Sequence, residues 1–220
     1  MWMATPTLGI VGFLLSLGLA LTVQPLATPA RVKDAVAPAL PVQAYGGGEV
    51  VLEVTVAPNG AVAGVETIRS TPPFTEVVAR ATSEWRFGPA TATIDGRATP
   101  VRTSVLVVAA FRAPTLYAAP APGGQPATTG AASTAVPQLV SIAPAAYPPN
   151  ARGDGVVIVE IELTRFAAAR GYRIVTPQSG FDNAALDAVR AWRFNAPRDS
   201  NAPERLYAYA VLGFKEPVAR

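Results

Sequence analysis

The chain has 220 residues, half of them apolar, and a formal charge of +3 from 16 Arg and two Lys against 15 acidic residues. It contains neither His nor Cys, which excludes zinc sites built on those ligands, thiol chemistry and a histidine proton relay. The basic residues are scattered rather than blocked, so they outline no groove for nucleic acid, and no cofactor or metal site is expected.

In chain order, residues 1–27 read as a signal peptide or an N-terminal membrane anchor. No charged side chain precedes Arg31, and LGIVGFLLSLGLALTV (8–23) is an apolar run of 16. That is short for a membrane span and has the length of a signal-peptide core, with Ala27 or Ala30 as cleavage positions. Both readings put the rest of the chain outside the cytoplasm. Residues 28–45 are rich in Pro and Ala and read as an extended tether.

A first domain is expected over 46–112. EVVLEVTVAP (49–58) alternates apolar and polar residues as a half-buried strand does. Asn59-Gly60 is a turn signal, and AVAGVETIRS (61–70) returns as the second strand, with Gly64 marking a bulge or a close approach. FTEVVARATSEW follows as a helix, capped by Thr75, with Phe74, Val78, Ala81 and Trp85 on one stripe. PVRTSVLVVAAF (100–111) closes the unit as a strand. Residues 113–138, rich in Pro, Ala, Gly and Thr, read as a linker.

The second domain, 139–216, repeats the first. With Trp192 set on Trp85, Gly155 falls on Gly48, Glu160 on Glu53, Gly171 on Gly64, Phe181 on Phe74 and Arg193-Phe194 on Arg86-Phe87, without a gap. Phe214 meets Phe111 after a shift of four residues. A shared period over such a length is an internal duplication. FDNAALDAVRAW is the second helix, capped by Asp182, with Phe181, Ala185, Val189 and Trp192 on its stripe. In both Trp-Arg-Phe runs the Trp and Phe belong to a core, and the Arg lies near a helix C-terminus, where positive charge is favourable. The expected fold class is α+β: two β-β-α-β domains, each a small antiparallel sheet with one helix packed on a face.

YPPNAR (147–152), Gly155 with its Val/Ile strand, and FDNAALDAVRAWRFNAP (181–197) resemble the C-terminal domain of the TonB family. The first copy resembles it more loosely, through PNGAV (58–62), Gly64-Val65, Ile68-Arg69-Ser70, TEVVARATSEWRFGPA (75–90) and Asp95-Gly96-Arg97. The resemblance implies a non-enzymatic periplasmic module, borne on a membrane anchor, that binds a partner by adding a strand to its sheet. The best-known members couple a proton-driven motor complex to outer-membrane transporters, so transmembrane transport is one implied role. An adaptor or envelope scaffold without motor coupling is the alternative. The family anchor carries a His that this chain lacks, which leaves the motor complex in doubt; residues 8–23 are the candidate inner-membrane contact.

The usual receptor in that family is the last strand. Here the protein-binding candidates are therefore Leu206, Tyr207, Ala208, Tyr209, Ala210 and Val211. Tyr207 and Tyr209 share one face, offering rigid contact area to a partner strand, or else covering the sheet or meeting the other copy. The first copy's last strand is apolar on both faces from Leu106 onward, a hazard if exposed. Pairing between the two copies would cover it.

The rival class is a carboxylate enzyme. Its ingredients are Glu160 with Glu162 on one strand face and Asp182 with Asp187, which do not stack on a helix face. YGGGEV (45–50) lacks the spacing and Lys of a phosphate loop. A solvated strand face is the plainer reading of the two glutamates.

Overall fold

Alternation over 49–58 and the Asn-Gly turn do produce a hairpin, and around it the chain builds an α+β fold with two helices. A computed structural model describes residues 26–41, 46–114, 125–126, 132–199 and 202–217. The first half contains β1 (Leu26–Thr28), β2 (Val32–Asp34), β3 (Gly48–Val56), β4 (Val62–Ser70), α1 (Phe74–Ser83), β5 (Arg86–Phe87), β6 (Ala90–Ile94), β7 (Arg97–Val101) and β8 (Thr103–Phe111). The second contains β9 (Gln125–Pro126), β10 (Gln138–Ser141), β11 (Gly155–Thr164), β12 (Ala169–Thr176), α2 (Asp182–Arg190), β13 (Arg193–Asn195) and β14 (Arg205–Phe214).

The helix stripes are as expected. Phe74, Val78, Ala81 and Trp85 are buried, and so are Phe181, Ala185, Val189 and Trp192. Phe74 stacks on Phe111 at 4.2 Å between centroids, and Phe181 meets Phe214 at 4.9 Å. The aligned glycines lie under these rings: a Cβ at Gly48 would sit 2.7 Å from Phe74 Cδ2, and one at Gly155 2.7 Å from Phe181 Cδ2. The expected caps are corrected. Neither helix has a side-chain cap hydrogen bond. Thr75 Oγ1 instead accepts from the Thr71 N–H, and Asp182 accepts from the Gln178 N–H, so both polar groups fasten the turn before the helix.

Two separate domains are not what the strands form. One seven-stranded sheet runs in the order β12-β11-β14-β8-β3-β4-β9. Its halves meet at β14 and β8, which pair in parallel from Ala208↔Leu106 to Gly213↔Phe111, while the other pairings are antiparallel. This order is symmetric about the β14–β8 join except for β9. The first half also carries the β6–β7 hairpin, which pairs with β1 in a small sheet of its own.

Alternate residues show that the helices occupy opposite faces. Val50, Leu52 and Val54 of β3 pack with α1 and Trp85, together with Tyr207, Tyr209 and Val211 of β14. Leu206, Ala208 and Ala210 pack with α2 and Trp192, together with Val51, Leu106 and Val108 from the first half. Each core thus uses both halves, which is why β8 can be apolar on both faces: both are buried.

Residues expected to be tethers are part of this packing. Val32 and Ala30 are buried, and β2 pairs with β5. At the second copy, β10 pairs with β13, and Val136 is buried. The indole N–H of Trp85 donates to the Val36 carbonyl at 2.9 Å, and that of Trp192 to Ala143 at 3.0 Å, both 49 positions earlier. The extended-tether expectation is therefore corrected for 28–41 and 132–138. The repeat begins with a leading arm that clamps the exit of its own helix.

The membrane-anchor expectation, and transmembrane transport with it, finds no support among the described residues. Among the described residues no helix is long and apolar enough to cross a membrane; α1 has 10 residues and α2 has 9. Residues 1–25, including the run 8–23, lie outside the described residues.

Candidate functional site

The strand expected to receive a partner is central. Leu206, Tyr207, Ala208, Tyr209, Ala210 and Val211 all lie in β14, hydrogen-bonded to β11 on one side and β8 on the other. All six are buried. Their assignment as an exposed protein-binding edge is corrected: the strand's backbone groups are already used within the chain, by the pairing of copies that protects β8.

Tyr207 and Tyr209 instead hold the first half's leading arm. The Tyr209 ring meets Trp85 edge-on at 5.7 Å and Phe87 at 5.8 Å. Its hydroxyl accepts from the Val32 N–H at 2.8 Å. Burial, reinforced by the nearby Glu160 carboxylate, holds that hydroxyl well above the usual phenol range. Arg31 lies over the Tyr207 ring, 5.5 Å from its centroid.

Glu160 closes the arm. Only 2% of its side chain is exposed, and it takes Arg31 at 2.8 Å and Arg173 at 2.7 Å. Hydrogen bonding to that carboxylate raises both guanidinium pKa values. The aligned Glu53 does a parallel task with a weaker partner: its Oε2 accepts from the Ser133 N–H of the second arm at 2.7 Å. Each arm therefore crosses to the opposite half and is fastened at the equivalent glutamate.

These contacts bear on the carboxylate alternative. Glu162 pairs with Arg205 at 3.1 Å and Asp187 with Arg190 at 2.8 Å. Glu160 and Glu162 share a sheet face, yet both are engaged by arginines, and Glu160 is sealed beneath the arm. Asp182 and Asp187 serve α2. The tyrosine of YPPNAR is structural too: Tyr147 donates to the Gly153 carbonyl at 2.8 Å and sets its ring against Phe181.

An open edge of the seven-stranded sheet lies elsewhere. Among the described residues β12 is paired on one side only, with β11, whereas the symmetry-equivalent β4 also pairs with β9 at its end, through Arg69↔Pro126 and Ser70↔Gln125. Beside β12 is a cavity of about 230 Å³ lined by Ile161, Tyr172, Val189, Trp192, Phe194 and the turn alanines Ala167 to Ala169, with Arg193 at its side. Phe166, at the turn before β12, is 75% exposed.

Among the described residues the equivalent place in the first half is filled. There the Asn59-Gly60 turn lies on the helix exit: the Phe87 N–H donates to the Gly60 carbonyl at 2.8 Å, and Ala61 bridges to Arg86. The approach is so close that a Cβ on Gly60 would lie 2.0 Å from the Phe87 oxygen. In the second half the turn reads TRFAAA, and Phe194 remains half-exposed where Phe87 is buried. The loss of Asn-Gly was visible in the sequence and was the available signal for this site. Reading the edge from the last strand missed it.

Comparison with protein-family models, curated proteins and solved structures gives no match.

Proposed function

We propose that the chain is a non-enzymatic periplasmic interaction module that binds an extended segment of a protein partner by strand addition at β12. One observation carries the reading: β12 ends the sheet with one side paired and the other open among the described residues. Unpaired backbone N–H and C=O groups on an edge give an added strand its affinity, and neighbouring pockets give it selectivity. The engagement of Glu160 and Glu162 by arginines supports a binding role over carboxylate catalysis. The resemblance of residues 147–197 to the TonB C-terminal domain supports the periplasmic setting, and the receptor strand differs from that family's last strand. An adaptor or scaffold role follows more directly than energy coupling.

The test is in-cell photocrosslinking from position 170 on β12, with position 209 on β14 as the control, followed by amide exchange of the purified complex. The expected result is capture at 170 only, with the amides of 169–176 slowed in the complex. A partner that binds without slowing exchange along β12 overturns the reading.

A further inference from the structure

Resting on that strand-addition reading, we propose that β12 takes an acidic extended peptide that seats one bulky apolar side chain in the cavity between Tyr172 and Trp192. The cavity supplies the apolar part. Ile161, Val189, Trp192 and Phe194 line it, and it lies beside the strand whose backbone is open. A strand paired to β12 sends alternate side chains to the α2 face of the sheet, where Tyr172 and Ile174 already pack. Its residue opposite Tyr172 is thereby placed over the cavity.

Charge supplies the second part. Near this edge Arg165 pairs with Glu204 and Arg190 with Asp187. Arg170 is exposed, as is Arg193, whose guanidinium donates to the Arg190 and Trp192 carbonyls. No carboxylate among the described residues pairs with either one. The edge and the cavity rim therefore carry two uncompensated positive charges, complementary to an acidic segment.

The same charges decide against a second copy as occupant. Antiparallel self-pairing of β12 would set the uncompensated Arg170 of both chains along one shared edge, and like charges across strands are unfavourable. Basic residues on an edge are also a common guard against self-association. The closed first-half counterpart explains why one site is built rather than two: Gly60 and Phe87 already occupy that space.

The test uses the full chain and three blocked octapeptides of alternating Thr and Val. The first carries a central Leu flanked by two Glu, the second replaces the Leu by Ala, and the third replaces both Glu by Lys. Binding is read by fluorescence anisotropy, and the site by exchange of amides 169–176. The acidic Leu peptide should slow exchange along β12. Its affinity should fall about 10-fold or more on Leu→Ala, as expected for losing a buried aliphatic side chain. It should fall several-fold on Glu→Lys and weaken with added salt. Ala169→Trp, which fills the cavity, should erase the Leu preference, and Arg170→Glu with Arg193→Glu should reverse the charge preference.

Equal affinity for acidic and lysine peptides that both protect β12 overturns the acidic assignment and leaves strand addition standing. Indifference to Leu→Ala and to Ala169→Trp overturns the cavity assignment. If no peptide of either charge protects β12, strand addition at this edge falls as well. Protection that appears on concentrating the chain alone, with dimers in sedimentation, overturns the proposal in favour of a second copy.

Discussion

In the first half the turn after β3 lies on the strand that leaves α1, whereas in the second half the corresponding turn leaves a cavity at that place. Apart from the β6–β7 hairpin of the first half, the two share their plan: hairpin, helix, exit strand and a leading arm held by a tryptophan N–H. One local change, Asn-Gly to Phe-Ala with its neighbours, thus separates a closed unit from one that keeps an apolar recess beside an open edge. A duplicated fold can keep one copy for packing and leave the other available for binding. Here the division is physical, because the first copy's recess is filled by its own turn, and β9 pairs with the Arg69–Ser70 end of its outer strand.

The largest effects should come from the two tryptophans. Trp85→Ala empties a fully buried site against Phe87 and Tyr209 and strands the Val36 carbonyl. A loss of about 5 kcal/mol is expected, the upper part of the range for such truncations. Trp192 already borders the cavity, so Trp192→Ala removes fewer contacts and should cost about 3 kcal/mol. Denaturant midpoints of the two variants measure the difference. Equal losses would mean that the recess is filled in solution.

The turns sharpen the comparison, because aligned positions should respond with opposite sign. Gly60 has φ +84 and no room for a Cβ, so Gly60→Ala should destabilise by about 3 kcal/mol through backbone strain and displacement of the turn from Phe87. The aligned Ala167 sits at φ 61. Ala167→Gly relieves left-handed strain at the expense of chain entropy and should stabilise by about 0.5 kcal/mol. Thermal unfolding of both variants checks the signs.

The glutamates that fasten the arms form the next pair. Glu160→Gln leaves Arg31 and Arg173 without their carboxylate. Breaking a fully buried pair costs about 3–5 kcal/mol, but these arginines are 50% and 42% exposed, so about 2 kcal/mol is expected after solvent screening. Glu53→Gln keeps an oxygen for the Ser133 N–H and should cost about 0.5 kcal/mol. Urea unfolding should also show limited proteolysis near Arg31 rising in Glu160→Gln alone.

Local elements were legible because their signals are local. Period-two alternation marked β3, the repeat carried that strand over to β11, the four-and-three spacing marked both helix stripes, and the repeated Trp-Arg-Phe run marked the helix exits. The arms were not legible. Aligned by the same period, ARVKDAV and PQLVSIA share no residue, and their Pro and Ala content favours an extended chain without saying that it packs. What holds them is a backbone carbonyl accepting an indole N–H, an interaction that places no demand on the acceptor's side chain. The join of β8 to β14 left one trace, the two-sided apolar run from Leu106. Assigning the binding edge to β14 failed because an edge is a property of the whole sheet: the same strand is terminal in one small sheet and central in a fused one.

The last comparison separates the halves by pH. Tyr209 belongs to β14 of the second half, yet its hydroxyl serves the first half's arm by accepting from Val32. Its pKa is raised, chiefly by burial, so the folded chain keeps this proton at a pH where the unfolded chain releases it. With a raised folded pKa, the stabilisation is fully present below the unfolded value of about 10 and is lost as pH rises beyond it. Tyr209→Phe should cost about 1 kcal/mol at neutral pH, since the buried Val32 N–H loses its acceptor. Above pH 10 the wild type should lose up to about 1.4 kcal/mol per pH unit more than the variant, so that the two stability curves converge. Parallel curves up to pH 11.5 would show that Tyr209 ionises in the folded chain as it does in water, and with it that the arm does not seal this face of the sheet.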